Sequence, residues 1–209
     1  MKVKICGITR VQDAQACDML GVDYIGFNFW KPSKRYIKPD DARTIIGLLK
    51  KTKPVAVFVE KDQEYIKKIV GQTIFAGIQL HTDSSPFFCN RIKKLFPDHI
   101  IIQAFRIRDY LPDHLDDFNA DYFLFDALSG LDMGGTGTSF DWNILNRVKS
   151  FSDRVFIAGG INPENIEHLL SIIQPFGVDV ASGVEISPGI KDIEKIRLLM
   201  AKIKKGKDE

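Results

Sequence analysis

Short apolar segments alternate with amphipathic ones along the chain, and this alternation limits the possible folds more than any other feature. The apolar segments begin at Val3, Tyr24, Val55, Gly77, Ile100, Tyr122, Val155 and Val178. Their length and composition are typical of β-strands, and they are too apolar to face water. Eight such strands, each followed by a helix, predict a closed parallel (β/α)8 TIM barrel of the α/β class, ringed by helices.

A helix is predicted after each strand. The predicted helices cover residues 10–20, 39–49, 62–70, 85–95, 111–118, 162–173 and 192–202, with another that begins near Trp142. Thr9 is expected to cap the first helix and Gly21 to end it, because these residue types suit the two ends of a helix. A doubly wound open sheet would also explain the alternation, but it gives no reason for eight units.

The spacing of the strands locates the longest loops. Successive strand starts differ by 21, 31, 22, 23, 22, 33 and 23 residues, so the second and sixth intervals are stretched. The extra residues follow strands two and six, at the carboxyl end of the barrel, where such folds place their active sites. One domain is expected over residues 1–209, with a basic solvated tail at about 202–209.

Composition narrows the class of function. Lys and Arg total 29 against 27 Asp and Glu, and a net charge of +2 favours neither nucleic acid nor a membrane as a partner. The three cysteines form no C-x-x-C pair and the four histidines stand far apart, so we expect neither a disulfide framework nor a metal site. Met1 leads directly into a strand and no apolar run approaches about 18 residues, so a cytoplasmic protein is expected.

Asp126 and Cys6 are candidates for proton transfer because each stands at the carboxyl end of a strand. Asp126 ends an aromatic run and precedes a loop rich in glycine, residues 127–139. It could act as an acid if partial burial kept its carboxyl protonated. Cys6 could act as a base if nearby positive charge favoured its thiolate. The alternatives are that Asp126 only ties down its own turn and that Cys6 is a small buried hydrophobe, as Cys17 and Cys89 are expected to be.

Glycine turns follow strands seven and eight, at Ala158-Gly159-Gly160 and Ser182-Gly183-Val184-Glu185. Backbone N–H groups in such turns, at the start of helices, are the usual phosphate site of this barrel. The alternative is that these glycines merely allow tight turns, which does not explain why such turns follow both strand seven and strand eight. The cluster at residues 134–137 lacks the Gly-Lys-Ser/Thr ending of a nucleotide loop, so no ATP is implied.

An ordered set of motifs over nearly the whole chain resembles the phosphoribosylanthranilate isomerase family, small (β/α)8 barrel enzymes of tryptophan biosynthesis. The motifs are Lys4-Ile5-Cys6-Gly7-Ile8-Thr9, Gly26-Phe27 with Ser33-Lys34-Arg35, Gln79-Leu80-His81, Gly134-Gly135-Thr136-Gly137 with Phe140-Asp141-Trp142, Ala158-Gly159-Gly160, Asn162-Pro163-Glu164-Asn165, Ser182-Gly183-Val184-Glu185 and Pro188-Gly189-Ile190-Lys191-Asp192. Any one of them is weak evidence, whereas the set is highly specific. Asn28, Lys34, Thr82 and Ala181 depart from the usual pattern of the family.

The resemblance implies an activity. It is the Amadori rearrangement of N-(5'-phosphoribosyl)anthranilate to 1-(2-carboxyphenylamino)-1-deoxyribulose 5-phosphate, the third step from chorismate to tryptophan, with no cofactor. By matching position, Cys6 would be the general base that removes the C2' proton, and Asp126 the general acid that protonates the ring oxygen. Arg35 would face the anthranilate carboxylate. The remaining expected substrate contacts are His81, Gly135 and Gly159, with Gly160, Ser182 and Gly183 at the phosphate.

Two hypotheses concern charged residues near these motifs. Lys4 is expected to point into the barrel and to be neutralised by an acid from another strand, with Asp179 the first candidate, because an unpaired buried ammonium is unfavourable. Lys31, Lys34 and Arg35 are expected to form a mobile basic lid that attracts a doubly anionic substrate. The expected partner is a small phosphorylated substrate, and the expected assembly is a monomer or weak homodimer.

Two other functions remain open from the sequence. One is a phosphosugar isomerase of the histidine-pathway type, which uses an aspartate where Cys6 stands and binds a second phosphate. The other is a barrel that binds a phosphorylated ligand without catalysis.

Overall fold

Eight parallel strands form a closed barrel in the computed structural model, which describes residues 1–81, 85–107, 114–127 and 152–205. The strands are β1 (Lys2–Cys6), β2 (Tyr24–Asn28), β3 (Lys53–Phe58), β4 (Gly77–Leu80), β5 (Ile100–Ile107), β6 (Tyr122–Ala127), β7 (Val155–Ala158) and β8 (Gly177–Val180). Each pairs with the next in the chain, and β8 pairs with β1 in a register that sets Lys4 opposite Asp179. This closure confirms the predicted barrel, because an open sheet would leave two free edges.

Helices follow most of the strands within the described ranges. They are α1 (Val11–Leu20), α2 (Pro39–Ile46), α3 (Gln63–Val70), α4 (Pro86–Leu95), α5 (Ile166–Ile172) and α6 (Ile193–Lys205). None of these helices is long and apolar enough to cross a membrane. After β5 the described residues form only a 3-10 turn at Leu115–Asp117. Residues 111–113 of the helix predicted there, and the helix predicted near Trp142, lie outside the described residues.

The cap of α1 and the start of α5 differ from the sequence prediction, and α2 ends at Ile46 rather than at residue 49. Thr9 does not cap α1, since its hydroxyl donates to the Gly189 carbonyl at 2.5 Å and so joins the end of β1 to the segment after β8. Gly21 does end α1, in the left-handed region at φ 77°, where glycine has no steric penalty. Helix α5 begins four residues later than residue 162, because the Asn162 carboxamide accepts hydrogen bonds from the N–H groups of Glu164 and Asn165 and forms a turn there.

The carboxyl-terminal region contains more regular structure than expected. Residues 202–205 belong to α6 rather than to a tail, and Lys202 pairs with Glu167 of α5 at 2.7 Å. The apolar face of α6 continues through the buried Ile203, which accounts for the extra helical turn. A short antiparallel hairpin, which the sequence pattern did not indicate, precedes α6 and consists of β9 (Glu185–Ser187) and β10 (Ile190–Lys191).

Apolar side chains fill the amino-terminal part of the barrel interior. Tyr24, Val55, Ile102, Leu124 and Phe156 form this inner core, separate from the larger core between the barrel wall and the helices. Side chains alternate between the two faces of a strand with period two. The next inward positions toward the carboxyl ends are therefore close together, and these positions carry polar side chains.

Asp18 at the end of α1 holds the chain segment that enters β3. Its carboxylate accepts hydrogen bonds from the backbone N–H groups of Lys50, Lys51 and Thr52 at 3.2, 2.9 and 2.7 Å. Partial burial shifts the pKa of Asp18 upward, but these hydrogen bonds outweigh that effect and the pKa lies below its usual value.

Asp18→Asn should lower the free energy of unfolding by about 1–2 kcal/mol at pH 7, because a charged acceptor forms stronger hydrogen bonds than an amide. A carboxyl whose pKa is depressed on folding adds stability above its unfolded pKa and loses it as the pH falls. The difference between the two proteins should therefore shrink below about pH 4. Urea unfolding at neutral and acid pH measures this difference in the free energy of unfolding. An equal difference at the two pH values would contradict the stabilising role of the ionised Asp18 carboxylate. Asp40→Asn, which breaks an exposed pair with Arg43, is the control and should cost less than about 0.5 kcal/mol.

Candidate active site

A cavity of about 240 Å³ opens at the carboxyl end of the barrel. It brings together residues from β1, β4, β6 and the loops after β2, β7 and β8. The predicted site residues that line it are Cys6, Arg35, His81, Asp126, Gly159, Gly160 and Ser182. Gly135 lies outside the described residues. The wall also contains Gln79, Ile161 and Asp179, for which the sequence predicted no contact with a ligand.

Asp126 is accessible from the cavity and lies next to His81. The Asp126 carboxylate and the His81 ring approach to 3.4 Å, with side chains 24% and 21% exposed. The Gln79 amide lies 3.3 Å from the other ring nitrogen, Nδ1. An amide that donates to Nδ1 keeps the ring proton on Nε2, facing Asp126. The Gln79 Oε1 atom is buried and has no hydrogen-bond partner among the described residues.

Cys6 faces the cavity from the last position of β1 and is partly exposed. Burial raises the pKa of the Cys6 thiol above its ordinary value, and the nearby Lys4 and Lys191 ammonium groups offset part of that rise. Gly26 stands opposite Cys6 in the β1–β2 register. A Cβ atom at Gly26 would lie 2.8 Å from the Cys6 sulfur and 3.0 Å from Lys4 Nζ, so only glycine leaves both groups in place.

The Lys4 side chain points into the barrel and pairs with Asp179, as the sequence predicted. The Lys4 ammonium donates to the Asp179 carboxylate at 3.0 Å, with the two side chains 0% and 7% exposed. Both residues occupy inward positions on adjacent strands, β1 and β8. The pair lies directly below Cys6, which is two residues further along β1.

Glu185, to which no role was assigned from the sequence, connects two cations, one of which, Arg35, lines the cavity. Its carboxylate accepts from Arg35 Nε and Nη2 at 2.9 and 2.7 Å, and from Lys191 Nζ at 2.8 Å. Lys191 also donates to the backbone carbonyl of Cys6 at 2.6 Å. The sequence pattern that could have indicated this network was a carboxylate just after strand eight, followed by a Pro-Gly turn and a lysine. Only the β9–β10 hairpin shows that these groups fold back onto the site.

The loop that carries Arg35 is anchored by Asn28 and Ser33. Asn28 accepts from the backbone N–H of Trp30 at 2.9 Å and donates to the Ser33 hydroxyl at 3.1 Å, and that hydroxyl accepts from the Arg35 N–H at 3.1 Å. Asn28, a departure from the usual family pattern, therefore organises the base of this loop. Lys31 and Lys34 are exposed on it. A mobile basic lid stays a prediction.

The glycine turns after β7 and β8 pack against each other on one side of the cavity. Gly160 has a positive φ of 65°, and a 3-10 turn at Ser182–Val184 follows β8 directly. A Cβ atom at Gly183 would overlap the Ile161 carbonyl and lie 2.9 Å from Asn162 Cβ, so the two turns touch at this glycine. The first N–H groups of a helical turn have no partner within the turn. This wall of the cavity can therefore present backbone donors to an anion.

Comparison with known proteins assigns the family. The chain matches the family model described as N-(5'phosphoribosyl)anthranilate (PRA) isomerase over residues 3–202. The chain belongs to this family. This match confirms the resemblance to phosphoribosylanthranilate isomerases. It also confirms the prediction that the protein is an isomerase of tryptophan biosynthesis.

Individual relatives match over nearly their whole length. A protein named N-(5'-phosphoribosyl)anthranilate isomerase from Microcystis aeruginosa is 37% identical over 215 residues, which covers 100% of both chains. A protein of the same name from Trichlorobacter lovleyi is 37% identical over 94% of this chain and 95% of its own.

Solved phosphoribosylanthranilate isomerases share the fold closely. The crystal structure of the enzyme from Thermus thermophilus matches with a TM-score of 0.86 and 32% identity, over 98% of this chain and 99% of that chain. Another solved structure is a complex with reduced 1-(o-carboxyphenylamino)-1-deoxyribulose 5-phosphate. It has a TM-score of 0.79 and 31% identity, over 98% of this chain and 99% of that chain.

Glu185→Gln should lower the free energy of unfolding by about 3 kcal/mol or more at neutral pH, because the buried Lys191 ammonium loses its counter-charge. Burial shifts the pKa of Glu185 upward, but hydrogen bonds from Arg35 and Lys191 outweigh that effect and the pKa lies below its usual value. The contribution is therefore complete above the unfolded pKa and should decline as the pH falls below about 4.

Chemical denaturation over a series of pH values measures this contribution. Glu64→Gln breaks a surface pair with Lys67 whose glutamate is 77% exposed, and it should change stability by less than about 1 kcal/mol. Similar losses in the two variants would show that the Glu185 network contributes no more than a surface pair.

Proposed function

We propose that the cavity binds N-(5'-phosphoribosyl)anthranilate and that Cys6 and Asp126 carry its isomerisation as general base and general acid. The observation that carries this proposal is the common cavity of these two side chains, which come from β1 and β6 and share that cavity with the glycine turns and Arg35. One small cavity thus contains an acid, a base, a cation and a backbone anion site. This set suits a substrate that has a phosphate at one end and a carboxylate at the other.

Ring opening is the proposed first step, and Asp126 supplies its proton. The carboxyl proton passes to the furanose ring oxygen as the bond from that oxygen to C1' breaks. The substrate nitrogen forms a double bond to C1', which gives a protonated Schiff base. Asp126 is left as a carboxylate beside the His81 ring, whose N–H can stabilise the new negative charge.

Proton abstraction from C2' is the proposed second step, and the Cys6 thiolate accepts the proton. The electrons of the C2'–H bond form a double bond between C1' and C2' and neutralise the Schiff base. The enol formed then becomes the ketose when C1' gains a proton and the C2' hydroxyl loses one. A positive charge on the substrate also favours the thiolate, so ring opening itself activates a thiol that burial otherwise keeps protonated.

Arg35 is the proposed contact for the anthranilate carboxylate. Glu185 occupies the Nε and Nη2 edge of its guanidinium. A guanidinium has five N–H donors, so the Nη1 end remains available to a second carboxylate. Glu185 thus fixes the direction in which Arg35 presents that end to the cavity.

The glycine turns are the proposed phosphate site, and Gln79 is a proposed contact for the sugar. Backbone N–H groups of the turns at Gly160 and Ser182 would bind the phosphate oxygens. The buried Gln79 Oε1, which lacks a partner among the described residues, would accept from a ribose hydroxyl. No step in this sequence requires a cofactor. A cytoplasmic location and a monomer or weak homodimer stay predictions of the sequence.

Cys6→Ala and Asp126→Asn should each lower kcat about a hundredfold or more and change KM little, because each removes a proton-transfer group. Arg35→Ala should mainly raise KM, because it removes a contact that substrate and transition state share. Steady-state assays with freshly made phosphoribosylanthranilate measure these changes. Cys17→Ala, at a buried cysteine outside the cavity, is the control and should keep its kcat. A reversed pattern of kcat and KM effects would exchange the assigned roles.

Gly183→Ala should raise KM roughly tenfold or more, because the new Cβ atom separates the two glycine turns and each tenfold loss is about 1.4 kcal/mol of binding. Inhibition by inorganic phosphate should weaken in parallel. Gly21→Ala, at a positive-φ glycine with open space around it, controls for the general effect of replacing a glycine. Unchanged phosphate inhibition in folded Gly183→Ala protein would place the phosphate elsewhere.

A further inference from the structure

The proposed mechanism uses Cys6 but not the ion pair buried beneath it. Lys4 is among the largest fully buried side chains in the described part of the molecule, and its ammonium reaches Asp179 and the region of the Cys6 sulfur. A charged pair in a barrel interior needs a physical explanation, because desolvation of both groups opposes it.

Stability does not provide that explanation. Replacing a buried ion pair by apolar side chains of similar volume is often neutral or stabilising. The positions paired with these two residues on the neighbouring strands already carry side chains of the apolar inner core, Tyr24 beside Lys4 and Ala158 beside Asp179. Apolar residues at positions 4 and 179 would therefore fill the same space without the cost of burying two charges.

The position of the pair relative to Cys6 suggests an electrostatic role. Lys4 and Cys6 lie on the same face of β1, and Gly26 on β2 leaves open the space between them. The ammonium and the sulfur both lie within about 3 Å of the point where a Gly26 side chain would begin. The ammonium and the sulfur are therefore no more than about 6 Å apart. In a low-dielectric interior, a charge within that distance interacts strongly with a thiolate.

We propose that the Lys4–Asp179 pair sets how readily the Cys6 thiol releases its proton, with Lys4 favouring the thiolate and Asp179 limiting that effect. The S–H bond breaks, the electron pair stays on sulfur, and the proton leaves to solvent through the cavity. The resulting thiolate is the base that accepts the C2' proton, so the relevance to catalysis rests on the function proposed above. Lys4 and Asp179 act on the base and are positioning residues.

The direction in which each neighbouring group shifts the Cys6 pKa follows from the charge of that group. Burial raises the pKa of Cys6, Lys4 and Lys191 lower it, and Asp179 raises it again. Lys191 and Arg35 are both held by Glu185, and His81, just after β4, and Asp126 on β6 line the same cavity as Cys6. Of these groups, the pair at positions 4 and 179 can be altered without breaking the Glu185 network.

The ionisation of Cys6 can be measured without substrate. The rate of alkylation by iodoacetamide is followed across a pH series, with peptide mass spectrometry to identify the modified cysteine. Cys17 and Cys89 are separated from Cys6 in this experiment, because burial raises the pKa of each to about 12. The midpoint of the rate profile reports the ionisation of the Cys6 thiol.

Opposite charge changes should shift this midpoint in opposite directions. Lys4→Met should raise it by about one pH unit or more, and Asp179→Asn should lower it by a similar amount. Below the midpoint, the first variant should react roughly tenfold more slowly than the unmodified chain. Lys93→Met is the matched control, since it removes a cation from a pair with Asp121 far from the cavity, and it should not shift the profile.

The acid limb of kcat/KM against pH should move with the alkylation midpoint, which a purely structural role would not produce. Shifts of both variants in the same direction would overturn the proposal. An unchanged midpoint in Asp179→Asn protein that is folded by near-UV circular dichroism would also overturn it. If Lys4→Met does not fold, the nearly isosteric Asp179→Asn decides the question alone. Opposite shifts in a chain that is inactive on phosphoribosylanthranilate would support the electrostatic inference and refute the proposed function.

Discussion

Pairing between β1 and β8 closes the barrel, and the remaining features of the site depend on it. This pairing sets Lys4 opposite Asp179 and places Cys6 next to the turn that follows β8. Without closure, the thiol at the start of the chain and the glycine turn near its end would lie on opposite edges of a sheet. The register is strongly specified, because a slip by one residue would turn Lys4 out of the interior and an apolar neighbour into it.

Two buried charge networks meet at Cys6 from different sides. Lys4 and Asp179 lie below the thiol inside the barrel, and Lys191 reaches its backbone carbonyl from the β9–β10 hairpin. Glu185 joins the second network to Arg35 on the loop after β2. Arg35, proposed to hold the substrate carboxylate, and Cys6, proposed to take the substrate proton, are thus connected through Glu185 and Lys191. A displacement of the loop after β2 or of the β9–β10 hairpin would therefore affect both Arg35 and Cys6.

Much of this arrangement can be predicted from local patterns in the sequence. The eight apolar segments, the two stretched intervals and the residue types at the strand ends predict a barrel with its site at one mouth, because strand periodicity and burial are local properties. The Lys4–Asp179 pair follows from the same alternation, together with the rule that a buried ammonium needs a counter-charge. The family resemblance adds roles that no pattern in composition or spacing supplies.

Other features depend on contacts between residues that are distant in the chain. Thr9 is a suitable helix cap by residue type, yet its hydroxyl bonds to Gly189, because the hairpin after β8 folds over the end of β1. Glu185 and Lys191 look like solvated charges in a loop, and only the tertiary fold buries them against Arg35 and Cys6. The sequence by itself determined the barrel, the inward faces of its strands and the mouth that carries the site, since these follow from the period and polarity of short segments. The tertiary structure decided which charges meet around the thiol, because an ion pair depends on the distance between two side chains and local sequence does not contain that distance.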